Sequence, residues 1–224
     1  MSTATLPFTV FRVEGPDDLD DACLVRAEGY GRHLPALRDK LLVPDELDFS
    51  STCAVFLARD KATGRPVGTM RAEASHGHSL MIEQCAGTAD FMRDALRAEI
   101  SRLAAVQGAH PQVKIALMKA SFLHCLAIQA RWMVIGARSD ALVRQYKALG
   151  FTDMLEGRPI ALGYAGNLAH RVLAFDVARA ERHWHESSHA LYTYMFETCH
   201  PDISVLPRPA TLRPREPVIE ALAA

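Results

Sequence analysis

The sequence has no apolar run long enough to cross a bilayer. Its longest, residues 115–128, is interrupted by Lys119 and His124, whereas a spanning helix needs roughly 20 apolar residues. No basic segment leads into an apolar core near its start, so no secretory signal is expected and the protein is read as cytoplasmic. There is no CxxC pair either. Cys23, Cys53, Cys85, Cys125 and Cys199 are odd in number and far apart, which suits reduced thiols better than a disulfide framework or a zinc knuckle. Net charge is nearly absent, with 25 Lys and Arg against 26 Asp and Glu, so nothing pulls the whole chain toward nucleic acid or an acidic membrane. Internal repeats are not visible. What remains is ordinary globular composition, 49% hydrophobic and 23% charged, in 224 residues that can bury one full-sized core.

Taken in order, residues 8–13 alternate apolar and polar and read as a strand closed by Gly15-Pro16. Asp17 or Asp18 is expected to cap a helix reaching about Tyr30, with Arg26 on the same side as Leu19, Ala22 and Cys23. Residues 53–59 and 67–73 form a hairpin about Thr63-Gly64, with Met70 and Ala72 on one face and Arg71 facing the other way. Residues 76–87 show no period and read as a loop, and 89–96 as a short helix. A strand over 97–106 leads to the most apolar helix, 111–130, which should be buried. A strand over 132–137, a helix over 140–149 closed by Gly150, strands over 151–155 and 170–177, and a last helix over 178–196 follow. The order is α/β with a mixed sheet. The expected division is a core of residues 1–177, a C-terminal helix over 178–200 packed on it, and an extended Pro-rich tail over 201–224.

The stretch Arg97-Ala98-Glu99-Ile100-Ser101-Arg102-Leu103-Ala104 places a carboxylate and a guanidinium inside a core-like strand. Burying charge is costly unless it is paired or used. Glu-Ile-Ser-Arg-Leu-Ala resembles the signature strand of the autoinducer (acyl-homoserine-lactone) synthases and of their relatives, the N-acyl amino acid synthases. The resemblance extends over roughly residues 20–155. Arg26 with Tyr30 matches the first helix of that family, Asp45-Glu46-Leu47-Asp48 with Thr52 its acidic loop, and Gly68-Thr69-Met70-Arg71 its third strand. The Tyr146-Lys147-Ala148-Leu149-Gly150-Phe151 corner is similar to one common in the wider GNAT-type fold. Two positions depart from the autoinducer synthases. Val43 stands where they carry a further Glu, and His33-Leu34 where they tend to have a Trp. Both concern the acceptor region, so the resemblance leans toward the N-acyl amino acid synthases.

That resemblance implies a GNAT-type acyltransferase fold, whose two strands around the long helix splay to admit a pantetheine arm. It also implies acyl transfer from a carrier-protein thioester to the amine of an amino acid or a similar small amine. No cofactor is implied beyond the phosphopantetheine thioester of the donor substrate. An ammonium is not nucleophilic, so a base must take its proton, and Glu99 is the candidate. Backbone amides around Leu103, Ala104 and Ala105 would meet the oxyanion. Arg26, Arg71 and Arg102 are the candidates to grip an acceptor carboxylate, with Asp45 and Asp48 holding their forks. The competing reading of Asp45 and Asp48 is an exposed acidic turn. Met118, Phe122 and Cys125 are read as the wall of an acyl-chain tunnel, with plain core packing as the alternative. The basic residues Arg32, Arg38, Lys40, Arg144 and Lys147, in elements that could flank the pantetheine entrance, would receive an acidic acyl carrier protein.

A regular strand sends residues 99 and 102 to opposite faces, so Arg102 can join Glu99 only across a bulge. Three other functions stay open on the sequence. One is an autoinducer synthase using S-adenosylmethionine. Another is a silent acyl-binding protein on the same fold. The third is a zinc hydrolase built on His185-Glu186-Ser187-Ser188-His189, whose imidazoles would share one face of the last helix.

Overall fold

Period-two burial defines the first strand of the computed structural model, which describes residues 2–207. In β1 (Phe8–Arg12), Phe8 and Val10 point into one core and Phe11 into another. Pro16 then starts α1 (Pro16–Gly31), because its fixed φ and missing N–H suit the first helical turn. Asp17 and Asp18 lie inside that turn, where the helix dipole favours them, and Gly15 holds the cap position without a side-chain bond. The expected Asp cap is therefore displaced by the proline. Strands β2 (Cys53–Asp60) and β3 (Pro66–Ala74) form the hairpin. Its turn is tied by the Asp60 carboxylate, which accepts from the Ala62 and Thr63 amides, and closes on Gly64 at φ 69°.

A short helix, α2 (Met81–Ala86), occupies a stretch expected to be a loop. Six residues are too few to display a helical period, and its start is set by Glu83, whose carboxylate accepts from the Leu80 amide. The helix expected over 89–96 is only a 3-10 turn, Asp90–Met92. Then come β4 (Arg97–Ala105), α3 (Val113–Ala127), β5 (Trp132–Ala137) and α4 (Asp140–Ala148), the last capped by the Ser139 hydroxyl on the Leu142 amide. After β6 (Thr152–Asp153), the unforeseen β7 (Ile160–Leu162) pairs with β8 (Leu168–Asp176).

The long last helix expected over 178–196 is broken. Its first part, α5 (Ala180–Glu186), stops before Ser188, which takes φ 50°, and a separate wide-turned segment covers Thr193–Glu197. The chain then runs beside the N-terminus, Thr198–Cys199 pairing with Ser2–Thr3, and adds β9 (Ile203–Ser204) to the edge of the sheet next to β1. The start of the expected tail is thus paired rather than loose, and Pro209, Pro214 and Pro217 lie outside the described residues.

The sheet runs β9-β1-β2-β3-β4-β5-β8-β6, with β7 also paired to β8. Only β9/β1 and β4/β5 are parallel. Its two faces differ. On one, Met70, Ala72, Ala98, Ile100, Met133, Ile135 and Leu173 join α3 and Trp184 of α5 in a single apolar core. On the other, α1 covers Cys53, Val55 and Leu57, while α2 covers Val134, Val172 and Ala174. Between those two apolar clusters runs a polar seam.

Candidate active site

The seam lies where two strands part. β4 and β5 pair only from Arg97/Trp132 to Ile100/Ile135. Beyond that, β4 stays with β3 and β5 with β8, leaving a gap between parallel strands. Leu103, Ala104 and Ala105 run along the open edge of β4, and the Ala105 carbonyl accepts from the Arg32 guanidinium at 2.9 Å. At the mouth of the gap β4 bulges. Arg71 faces Ser101 and Thr69 faces Ala104, so Arg102 and Leu103 together stand opposite Met70 alone, with Arg102 at φ 57°. The extra residue turns Arg102 toward the face that already carries Arg71, Glu73, Glu99 and Ser101.

Around the bulge, five charged side chains lock together. Arg26 meets Asp48 through two bonds of 2.7 and 2.9 Å. Arg71 donates to Asp45 at 2.5 Å and to Asp48 at 3.2 Å, and Arg102 donates to Asp45 at 3.0 Å. The Asp45 amide closes back onto Asp48 at 3.0 Å. Asp48 is sealed, its side chain 0% exposed, so the exposed-turn reading fails for it, while Asp45 stays 37% exposed. Burial works against the Asp48 charge, but the Arg26 bond and the charges of Arg26 and Arg71 hold its carboxyl below the ordinary value. Three guanidiniums thus face two carboxylates, and Arg102, held by one bond, is the loosest of them. Tyr30 is half-buried within the field of these guanidiniums; burial raises its hydroxyl and Arg102, Arg26 and Arg71 pull it back.

Glu99 sits one step before the last paired residues at the gap and is 3% exposed. One carboxylate oxygen accepts from the Ile82 amide of α2 at 2.8 Å and the other from the Tyr164 hydroxyl at 2.7 Å. Burial raises Glu99 above the usual carboxylate value; Tyr164 and Ile82 counteract it, and the charge of Glu73 adds to the rise. Sequence reasoning missed each of these supports. Ile82 contributes only a backbone N–H, and Tyr164 lies in a turn with no period, beyond the residues that carried the resemblance. Arg97, beside Glu99, is taken up by Glu83 at 2.5 and 3.3 Å and serves to anchor α2.

Two cavities bear on where an apolar chain could go. Met118 and Phe122 line one of only ≈ 20 Å³, closed by Trp184 and Met195. That is room for about one water, and Cys125 is packed away entirely. The surplus apolar face of α3 packs against the C-terminal segment, with little open space beside Met118 and Phe122. The larger cavity, ≈ 200 Å³, lies on the seam face between α2, β5 and β8, lined by Ile82, Ala86, Ala89, Met92, Val134 and Val172 among others. Two of its lining residues neighbour Glu99: the Ile82 amide donates to the Glu99 carboxylate, and Val134 is the register partner of Glu99.

The zinc reading fails on geometry. Because α5 ends at Glu186, His185 and His189 do not share a helical face. His189 stacks on Trp184 at 3.8 Å, gives its Nε2–H to the Ala148 carbonyl and accepts the Leu191 amide on Nδ1, so neither nitrogen is free for a metal.

No protein-family model matches the sequence, and no curated protein matches it. Solved structures do. One is FeeM, an N-acyl amino acid synthase from uncultured soil microbes, with a TM-score of 0.66 at 15% identity over 84% of this chain and 98% of that one. A CoA-dependent acyl-homoserine lactone synthase, BjaI, solved with SAM and isopentyl-CoA, gives 0.59 at 18% identity over 90% and 95%. An acyl-CoA N-acyltransferase from Pseudomonas aeruginosa gives 0.51 at 13% identity over 75% and 97%. The chain has the GNAT-type acyltransferase fold. Its splayed β4 and β5, with α3 connecting them, are the parts of that fold expected from the sequence. No described helix is long and apolar enough to cross a membrane.

Proposed function

We propose that the protein is an N-acyltransferase that moves a fatty acyl group from a pantetheine thioester to the amine of an amino acid or a similar small amine. The observation that carries this is a single placement. A buried carboxylate, Glu99, stands close to the point where two parallel strands part, in a seam that also holds the cluster of Arg26, Arg71 and Arg102 with Asp45 and Asp48.

In this reading the thioester lies in the gap between β4 and β5, its carbonyl against the open edge of β4 at Leu103, Ala104 and Ala105. Donors fixed in place beforehand at that edge stabilise the oxyanion as it forms. Glu99, held by Ile82 and Tyr164 in one orientation, takes a proton from the ammonium so that the free amine attacks. Its raised proton affinity suits a base that must hold the proton during attack and release it afterwards. The acceptor carboxylate is drawn to the unbalanced positive charge at Arg102 and Arg71, where Asp45 is the exposed and exchangeable partner. Arg26 with Asp48 is the fixed base of that cradle. The apolar chain of the donor occupies the ≈ 200 Å³ cavity under α2. Acyl carrier protein is the proposed donor carrier, received at the exposed Arg144 and Lys147 of α4.

The test is mass spectrometry of lipid extracts from an expressing host, followed by turnover of purified acyl thioesters. N-acyl amino acids with release of carrier thiol are the expected products. An acyl-homoserine lactone formed only with S-adenosylmethionine would move the assignment to an autoinducer synthase, and no turnover of any thioester would reduce the protein to a binder.

A further inference from the structure

The proposed reaction asks a buried carboxylate to meet an amine that arrives from water. Glu99 is sealed, and both of its oxygens are taken, one by the Ile82 amide at 2.8 Å and the other by the Tyr164 hydroxyl at 2.7 Å. An ammonium reaches it only if one of its covers withdraws. Its strand neighbours, Glu73 of β3 and Val134 of β5, belong to the middle of the sheet and are fixed there. Helix α2 is fixed as well. Leu80 and Ile82 are fully buried, and Glu83 accepts from the Arg97 guanidinium at 2.5 and 3.3 Å.

The turn that carries Tyr164 is built differently. It joins β7 to β8, and β7 pairs with β8 over three residues and with no other strand among the described residues. Leu162, buried in the cluster under α2, fixes the base of the turn. Beyond it, Gly163, Gly166 and Asn167 are exposed and Tyr164 is half-buried. The turn is bonded to its own hairpin, the Gly166 amide to the Gly163 carbonyl at 3.3 Å and the Asn167 amide to the Leu162 carbonyl at 3.0 Å. Among the described residues, its hydrogen bond to anything outside the hairpin is the one from Tyr164 to Glu99. Two glycines flank Tyr164-Ala165, and Gly166 stands at φ 73°, which glycine adopts without strain. Hinges are a few loop residues of this kind that absorb the backbone rotation. The tip also spans the cleft. A Cβ at Gly166 would stand 3.9 Å from Cδ2 of Leu37, in the 3-10 turn Pro35–Leu37 that follows α1. Helix α1 lies on the open edge of β4, so close that a Cβ at Gly29 would meet that of Ala104 at 3.0 Å. The turn therefore leaves from the β8 side of the gap and rests on the α1 side.

We infer that residues 163–167 are a lid over the amine subsite, and that the Tyr164 hydroxyl holds, in this closed form, the position on Glu99 that the substrate ammonium takes. The identity of the incoming group rests on the acyltransferase reading, while the lid is a property of the hairpin. In the closed form Tyr164 keeps the carboxylate oriented and dry. As the amine enters, the turn lifts from Leu37 at its two glycines and Tyr164 leaves Oε1. An ammonium N–H then donates to that oxygen, so one donor replaces another and the buried carboxylate is left without neither of its bonds. Ile82 keeps its hold on Oε2 throughout, and the base does not lose its aim. Tyr164 is a positioning residue, since it acts through Glu99.

Two measurements on the full chain test the lid, and neither needs turnover. In the first, Leu37→Cys and Gly166→Cys are combined so that oxidation ties the tip to the α1 side. Carboxyl groups are then labelled with a water-soluble carbodiimide and glycine ethyl ester, and modification at Glu99 is read by mass spectrometry, with Glu99→Gln as the blank. The tied protein is expected to label at Glu99 about 10-fold more slowly than the same protein reduced, because local opening is what admits the reagent. Neither single-cysteine variant should respond to oxidation. Equal labelling of the tied and reduced forms would overturn the lid. The second keeps the ring and removes the latch. Tyr164→Phe is expected to label at Glu99 about 10-fold faster than wild type, the scale of one hydrogen bond to a charged group. Labelling no faster than wild type would overturn the role of the hydroxyl. Acyl transfer by the paired-cysteine variant should fall about 10-fold on oxidation and return with reductant, as for an enzyme whose lid must open in each cycle. Gated labelling with no thioester turnover would remove the enzyme reading and leave the lid standing, whereas full turnover in the tied form would overturn the lid and leave the enzyme reading.

Discussion

The two faces of one sheet show how the same strands serve two purposes. On the α3 face Met70, Ala72, Ala98, Ile100, Met133, Ile135 and Leu173 point inward, and the helix above them fits with a leftover cavity of ≈ 20 Å³. On the opposite face the alternate residues of the same strands are Arg71, Glu73, Glu99 and Ser101, set between an apolar patch under α1 and another under α2. The first face supplies the free energy of folding through burial. The second carries charge that cannot be there for stability alone, because replacing buried ion pairs with well-packed apolar groups is often neutral or stabilising. The difference teaches where to look for function. It lies where the sheet accepts charged groups and a strand gap, and the opposite face is tight enough to hold them in register.

If that contrast is right, damage to the two faces should read out differently. The largest expected effect falls on the seam's fixed cradle. Asp48→Ala leaves Arg26, itself 1% exposed, without its counter-ion, and removing one partner of a buried pair costs about 3–5 kcal/mol. Thermal unfolding of the purified variant should show that loss, and a variant as stable as wild type would mean the cradle is wetter than it looks. Phe122→Ala on the core face is expected to cost a similar 3–5 kcal/mol. Its activity per folded molecule should be retained, however, which active-site titration at low temperature would check. A large drop in that specific activity would revive a substrate role for α3.

The pH dependence of stability sharpens the comparison further, because two seam carboxylates pull in opposite directions. Asp48 is held below the ordinary value, so its stabilisation is present above that value and is lost as pH falls through the depressed one. Glu99 is held above it. Between the ordinary and the raised value the folded state binds more protons than the unfolded, so unfolding free energy falls as pH rises through that window. Glu99→Gln should therefore flatten the high side of the stability profile and leave the acid side intact. Denaturant titrations over a pH series would show it, and an unchanged profile would mean Glu99 carries no folding penalty.

A smaller effect is expected in the cavity under α2. Each buried methylene is worth about 0.8 kcal/mol, roughly fourfold in affinity. Narrowing the space with Ala89→Phe should shift the preferred donor toward shorter chains, whereas Cys125→Phe in the opposite core should lower stability without changing the length profile. The reverse pattern would return the chain to the α3 side. The smallest effect is reserved for the docking face. Reversing Arg144 and Lys147 to Glu should raise KM for acyl carrier protein a few-fold at low salt, with the difference fading as salt screens it. An unchanged KM at low ionic strength would remove that face.

How much of this was legible in the sequence follows from what sequence encodes. The strands from β1 to β5, α1 and α3 were visible because each carries its own apolar period and its turn residues. Glu99 and Arg102 stood out as charge in an apolar strand, and parity showed that the two could share a face only across a bulge, which β4 has. The acidic loop was read from its resemblance, yet its depth was not, since burial of Asp48 depends on Arg26 arriving from a distant helix. Helix α2 and β7 were too short to show a period. The last helix was overextended because His, Trp and Tyr continue a plausible helical pattern through Ser187-Ser188, while the bond from His189 to the Ala148 carbonyl just past its end is tertiary. Tyr164 and the Ile82 amide could not have been found, one being a lone aromatic in a turn and the other a backbone group.

The central claim is that the seam, through Glu99, deprotonates an amine for acyl transfer. It is tested most directly by single-turnover rates of Glu99→Gln on a loaded acyl thioester at saturating amine, measured across pH. The account predicts a folded variant slowed by about 100-fold or more at neutral pH, with the deficit narrowing as pH rises and free amine replaces the missing base. A folded variant that transfers the acyl group at the wild-type rate at neutral pH would contradict it.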